Sequence, residues 1–161
     1  VYMSGQSWCL MVKVWRMTMN QIEKQFDRII AGLKLIDSLK SVRFVREYGS
    51  HNAETPIKGL LAVVSITDTS LSKSYIGGYL SSSVKGEEYE AKGEIRVYAP
   101  ATENGSGLSE VVTEILAGLK KADTQKIINE TSASSIAFDP DMNAIYRTVH
   151  FSLEFCLCEE V

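Results

Sequence analysis

Glu87-Glu88-Tyr89-Glu90-Ala91-Lys92-Gly93-Glu94-Ile95-Arg96-Val97-Tyr98 opens a stretch that runs to Lys121, and it alternates strictly by two. Tyr89, Ala91, Gly93, Ile95 and Val97 fall on one side, Glu90, Lys92, Glu94 and Arg96 on the other. Only a pleated strand separates two such sets, because successive side chains leave it on opposite faces. Ala99-Pro100 breaks the alternation, and Glu103-Asn104-Gly105-Ser106-Gly107 predicts a loop. Beyond it the apolar spacing becomes helical, through Leu108, Val111, Val112, Ile115, Leu116 and Leu119. A strand with one apolar face and a helix with one apolar stripe bury both by packing together. The unit therefore predicts a sheet covered by helix.

Working outward toward the N-terminus, Thr67 to Gly86 is rich in Ser and Gly and reads as a mobile loop. Within it, Tyr75-Ile76-Gly77-Gly78-Tyr79-Leu80 reads as a hairpin turn. Gly59 to Ile66 is apolar nearly throughout, as a central strand would be. His51 to Lys58 is a polar loop, and Ser41 to Tyr48 a strand. Ile22, Phe26, Ile29, Ile30, Leu33, Ile36 and Leu39 form one stripe, which predicts a helix from about Asn20 to Lys40. Thr18-x-x-Gln21 and Asn20-x-x-Glu23 are overlapping capping boxes at its start. Val1 to Arg16 stands apart as an arm or leader bearing Trp8 and Trp15, leaving 17–161 as one domain.

Toward the C-terminus, Gln125 to Phe138 reads as extended and Asp139-Pro140-Asp141-Met142-Asn143 as a turn. The last strand, Ala144 to Cys158, is long. Ile145, Val149, Phe151, Leu153, Phe155 and Leu157 share one face, with Arg147 the exception. The expected class is α+β: a mainly antiparallel, curved sheet with two amphipathic helices on one face and a long C-terminal strand.

At 161 residues, with 45% hydrophobic and 23% charged, the chain is long enough to bury a core as one domain. A net charge of −3 supplies no global basic field, so sequence-specific nucleic-acid binding is not expected. No apolar run approaches the roughly 18 residues of a membrane helix, so no membrane partner is expected either. Three cysteines, an odd count without framework spacing, argue against a disulfide scaffold and for a reducing compartment.

Reactive constellations are thin. Gly105-Ser-Gly107 precedes a helix, but position 110 is Glu and no Walker lysine follows, so a helix-entry loop outweighs a phosphate cradle. Asp139-x-Asp141-x-Asn143 begins like a calcium loop, yet Ala144 and His150 stand where Gly and Glu are required. His150, Cys156 and Cys158 on one strand face lack zinc spacing. His51 has no nucleophile motif nearby, and G-x-S-x-G is absent. No catalytic residue, cofactor or metal is expected. The mixed-charge set Glu90, Lys92, Glu94 and Arg96 reads either as a solvated face or as a subunit interface where alternating signs fix register.

One order of elements runs through the chain. An amphipathic helix precedes a strand and an apolar strand. A loose Ser/Gly loop then leads to Gly93-Glu-Ile-Arg-Val-Tyr98-Ala-Pro100, which runs into Gly107 to Leu119 and a long closing strand. From Met19 to Val161 this resembles the tail-terminator (tail-completion or collar) proteins of long-tailed phages and phage-tail-like bacteriocin particles. The resemblance implies a non-enzymatic homo-oligomer, a hexameric ring on the last ring of tail-tube subunits, which stops polymerisation and meets a sheath end or neck. It also implies assembly in the bacterial cytoplasm, then residence in a virion or tail-like particle. Exposure and composition make Trp8, Trp15, Glu90, Lys92, Glu94 and Arg96 candidates for lateral contact. Lys73, Tyr75, Tyr79, Lys85, Asp139 and Asp141 are candidates for axial contact with tube or sheath. Another head–tail or neck adaptor, and a small α+β enzyme or ligand-binding domain with an apolar pocket, remain the alternatives.

Overall fold

The computed structural model describes residues 19–47, 56–81, 84–123 and 126–160. Chain order is α1 (Met19–Lys34), a 3-10 turn (Asp37–Leu39), β1 (Arg43–Arg46), β2 (Leu61–Lys73), β3 (Tyr79–Ser81), β4 (Val84–Pro100), α2 (Leu108–Ala122), β5 (Ile128–Ala133), β6 (Ala137–Asp139) and β7 (Ala144–Glu160). The strands form one seven-stranded sheet in the order β1-β2-β4-β7-β5, with β3 added to β4 and β6 to β7. Only β1 and β2 run parallel; every other pair is antiparallel. The fold is α+β, with both helices in one core layer against the sheet.

The alternation in β4 decides which face the helices take. Ala91, Ile95, Val97 and Ala99 are fully buried in the main core, and across the ladder Ile95 meets Val149, Gly93 meets Phe151 and Ala91 meets Leu153. On the other side Val64 lies against Ile95 and Ala62 against Val97. Onto this inner face α1 lowers Phe26, Ile29, Ile30 and Leu33, and α2 lowers Leu108, Val111, Val112, Ile115 and Leu119. The helices meet where side chains are small. A Cβ on Gly118 would lie 2.5 Å from Ile36 Cδ1, and one on Gly32 2.8 Å from Ala122 Cβ. In the turn entering α2, Asn104, Gly105 and Gly107 all have positive φ, which accounts for the glycines of that loop without a ligand.

Three expectations about element limits are corrected. The first helix ends at Lys34, because Ile36 is extended (φ −79°, ψ 122°) and the chain restarts as a 3-10 turn. That break exposes Leu35 while Leu39 and Val42 turn inward. The first strand is shorter than read, Arg43–Arg46. The supposed mobile loop Thr67–Gly86 is largely strand: β2 continues to Lys73 because Asp68 to Lys73 pair with Lys92 to Glu88 of β4. Serine and threonine suited to a loop suit an exposed strand equally when a partner strand supplies the ladder.

One further expectation fails. Cys156 is disulfide-bonded, so the spacing argument for a reducing compartment does not hold at that position. Spacing along a chain does not say which Cβ atoms the fold brings within bridging range. Arg147, the polar exception on the inner face of β7, is accommodated by donating from Nε to the Ser134 carbonyl at 2.9 Å.

Candidate functional site

β4 pairs with β7 along its whole length, seventeen residues, while the helices cover only part of that ladder. The end of β2, β4 before Tyr89 and β7 after Phe155 therefore run on as a three-stranded ribbon beyond the main core. Every residue of β2 from Ile66 to Lys73 is exposed. Tyr89 stacks on Phe155 with ring centroids 5.9 Å apart, and Leu71 and Leu157 stand partly bare on the same face. β1 ends its pairing with β2 at Val64, so beyond it the outer edge of β2 is open among the described residues.

Of the axial candidates, Lys73, Tyr75, Tyr79 and Lys85 gather at the ribbon's tip. Lys73 Nζ lies 3.2 Å from Glu88, the Tyr75 hydroxyl donates to the same carboxylate, and Lys85 sits over the Tyr79 ring at 4.7 Å. The Tyr75 pKa is pushed up to about 12, first by the hydrogen bond to Glu88, then by desolvation and the Glu88 and Glu154 charges. Between Tyr75 and Tyr79, Gly77 and Gly78 adopt positive φ and present Ile76 fully exposed. Asp139 and Asp141 lie at the opposite end, where β6 meets the start of β7. There Asp139 Oδ1 accepts from the Asp141 and Met142 amides at 3.0 and 3.1 Å, so that carboxylate is committed to the turn. The two axial groups are thus not brought together; a ladder of seventeen residues, roughly 50 Å, separates them.

The lateral candidates on β4 do share the outer face, in one file. Arg96 donates to Glu94 at 2.8 Å and lies over the Tyr146 ring at 5.6 Å, and His150 Nδ1 is 3.9 Å from the other Glu94 oxygen. Hydrogen bonding with Tyr98 raises the Arg96 pKa most, burial opposes it, and the Glu94 charge adds to the rise. Glu90 stands directly across from Glu154 of β7. Trp8 and Trp15 lie outside the described residues.

Pairwise reading of the sequence missed two features. Leu61, Tyr98 and Ala144 form a second apolar cluster on the outer face, joined by Val45, Ile57, Val63, Met142 and Tyr146. Their places in β4 and β7 give Tyr98 and Tyr146 this face, but only the β4–β7 register joins them; their rings are 5.5 Å apart. The second feature is a shallow groove on the same face lined by Thr67, Glu90, Lys92, Glu130, Ser132, His150 and Ser152. It draws on four strands, which no local motif encodes. Among the described residues no group of three or more His, Cys, Asp or Glu is placed to hold a metal ion. No helix among them is long and apolar enough to cross a membrane.

No protein-family profile matches this chain, and no curated protein does. A solved structure whose designation names no activity is similar over 90% of this chain and 96% of its own, at 16% identity and a TM-score of 0.45. At that level the likeness carries no functional argument.

Proposed function

We propose that this chain is a structural assembly protein whose copies close into a hexameric ring on the end of a phage-like tail tube. The ring ends tube polymerisation and joins the tube to a sheath end or neck. One observation carries the reading: the ends of β2, β4 and β7 extend past the helices as a ribbon whose β2 residues are exposed and whose β2 edge is open among the described residues. A lone monomer gains little from such an extension, since an open edge invites strand pairing and costs solubility. A subunit in a symmetric assembly covers it against its neighbours. The resemblance in element order supplies the kind of assembly. On this reading the outer-face file Glu90, Lys92, Glu94 and Arg96 lies between subunits, and the tip residues Lys73, Tyr75, Tyr79 and Lys85 meet tube or sheath.

The test is light scattering on the full chain, followed by negative-stain imaging alone and with polymerising tube subunits of the same particle. Six-fold rings, and tubes whose ends carry extra density and stop growing, are expected. A monomer at all concentrations that leaves tube length unchanged refutes the proposal.

A further inference from the structure

We propose that the open edge of β2 in one copy of this chain pairs antiparallel with the open edge of β5 in the next copy, Thr69 opposite Ala133 and Leu71 opposite Thr131. The proposal rests on the ring reading for its choice of a second copy, and it adds the two sheet edges to the lateral contact. Among the described residues both edges are free: β5 ends the strand order on one side, and β2 has no outer neighbour beyond Val64 on the other. Hydrogen bonds show which backbone groups those edges present. The Val64 carbonyl accepts from Glu47 on the β1 side, so Val64 and its partner Ile95 are not bonded to each other. By alternation the even-numbered residues of β4 turn their N–H and C=O groups to β2. Thr69 and Leu71 stand across from the odd members Ala91 and Tyr89, so their own groups point outward. On β5 the Ser134 amide donates to the Thr148 carbonyl of β7, and alternation then turns Thr131 and Ala133 outward.

Direction, faces, charge and stagger all suit this pairing. Because β2–β4, β4–β7 and β7–β5 are each antiparallel, a like-oriented copy brings β2 antiparallel to β5. Between those two edges, only the stated register sets all four outward residues against one another. Their side chains share the inner face, across from Ala91, Tyr89, Phe151 and Val149, while exposed Ser70 meets exposed Ser132 on the outer face. The next outer row brings Lys73, in line with Glu88, toward Glu130 of the neighbouring copy, so opposite charges meet. Within one sheet Leu71 is level, through Tyr89, with Phe155, and Thr131 is level with Phe151. Neighbouring copies are therefore staggered by 155 − 151, four residues or about 13 Å, over four strands that span about 19 Å. That ratio sets a strand tilt of about 35°, at the edge of the roughly 35–45° of closed barrels. A flat, open continuation of the sheet would need no such stagger.

The test uses the full chain carrying Ser70→Cys and Ser132→Cys, oxidised alone and with polymerising tube subunits, then sized on non-reducing gels and imaged. Within one copy β4 and β7 stand between these positions, beyond bridging range, so a 70–132 bond joins two copies. In the stated register the pair is non-hydrogen-bonded, with Cα atoms about 4.5 Å apart, close enough to bridge. A ladder of multimers is expected, with the 70–132 bond identified by peptide mass spectrometry. Each single variant, and Ser70→Cys with Ser109→Cys on α2, should add nothing to the pattern of the unaltered chain. Thr69→Pro removes an outward N–H and leaves the β2–β4 ladder whole. It should weaken association at least about tenfold, with the urea midpoint of the dissociated chain retained. Rings that lack the 70–132 bond, or undiminished association of folded Thr69→Pro, overturn this inference and leave the ring reading intact. The bond in open fibres without closed rings overturns the ring reading and leaves the edge contact. Cross-linking of Ser70→Cys alone overturns the inference in favour of two β2 edges meeting about a two-fold axis. No association under any of these conditions overturns both.

Discussion

Consider replacing Gly93 by alanine. This residue sits mid-strand in β4, where a side chain would ordinarily favour the strand, yet the space above it is taken. A Cβ there would lie 2.7 Å from Phe151 Cζ, 2.7 Å from Phe26 Cε1 and 2.9 Å from Phe26 Cζ. Carbon atoms pack best at about 3.5–4.0 Å, so both rings must retreat by roughly 0.8 Å or more. Neither has room: Phe26 and Phe151 are each 3% exposed, and they lean on one another with centroids 5.4 Å apart. Overpacking of this kind costs about 1–3 kcal/mol, and removing a strand glycine returns about 0.5–1 kcal/mol. The net prediction is a loss of about 0–2.5 kcal/mol, centred near 1 kcal/mol and read as a lower urea midpoint with an unchanged slope. Phe26→Leu takes away one ring, so adding Gly93→Ala to that background should cost little or even stabilise. The difference between backgrounds, a coupling of about 0.5 kcal/mol or more, identifies the mechanism. An equal cost in both backgrounds, or a stabilised single variant, refutes the argument that Gly93 exists to seat α1 on the sheet.

Other expected outcomes rest on separate parts of the molecule. Leu33→Ala empties a fully buried position between α1 and the sheet and should cost about 2–5 kcal/mol by urea unfolding; a loss under about 1 kcal/mol would mean the core is not closed there. Asp123 accepts from the Ile127 and Ile128 amides, each at 2.9 Å, so Asp123→Ala should destabilise by about 1–3 kcal/mol, and a neutral result would deny that the carboxylate holds the α2–β5 connection. Because Glu154 faces Glu90, Glu154→Gln should be neutral to stabilising by up to about 1 kcal/mol at low salt; a clear loss would place an unrecognised cation beside it. Tyr75, with its pKa raised to about 12, should ionise late in an ultraviolet titration and return toward its ordinary value in Glu88→Gln. Its folded pKa exceeds the unfolded one, so this contribution is fully present below about pH 10 and fades as pH rises toward 12. A normal titration in the unaltered chain would sink the Tyr75–Glu88 contact.

Local pattern settled the inner layer of this protein. Two-residue alternation in β4 and β7 assigned Ala91, Gly93, Ile95, Val149, Phe151 and Leu153 to one face, and 3.6-residue spacing assigned Phe26, Leu33, Ile115 and Leu119 to stripes; both periods follow from backbone geometry alone. The mixed-charge face of β4 was equally legible. Local pattern could not find the upper half of β2, because Thr67 to Lys73 has no alternation of its own and becomes a strand only through pairing with β4. Nor could it find where α1 stops, since Leu35 and Ile36 continue the helical composition while the chain must turn to enter β1.

Tertiary structure alone decided which residues meet across strands. Glu90 facing Glu154, Ser152 buried without a partner, Glu130 brought round from β5 and Tyr98 set against Tyr146 are products of register. A slip of one residue would turn every one of these side chains to the other face. The physical reason is range. Helix stripes and strand alternation are written in neighbours a few residues apart, whereas the groove joins positions from Thr67 to Ser152 whose proximity exists only once the whole sheet has closed.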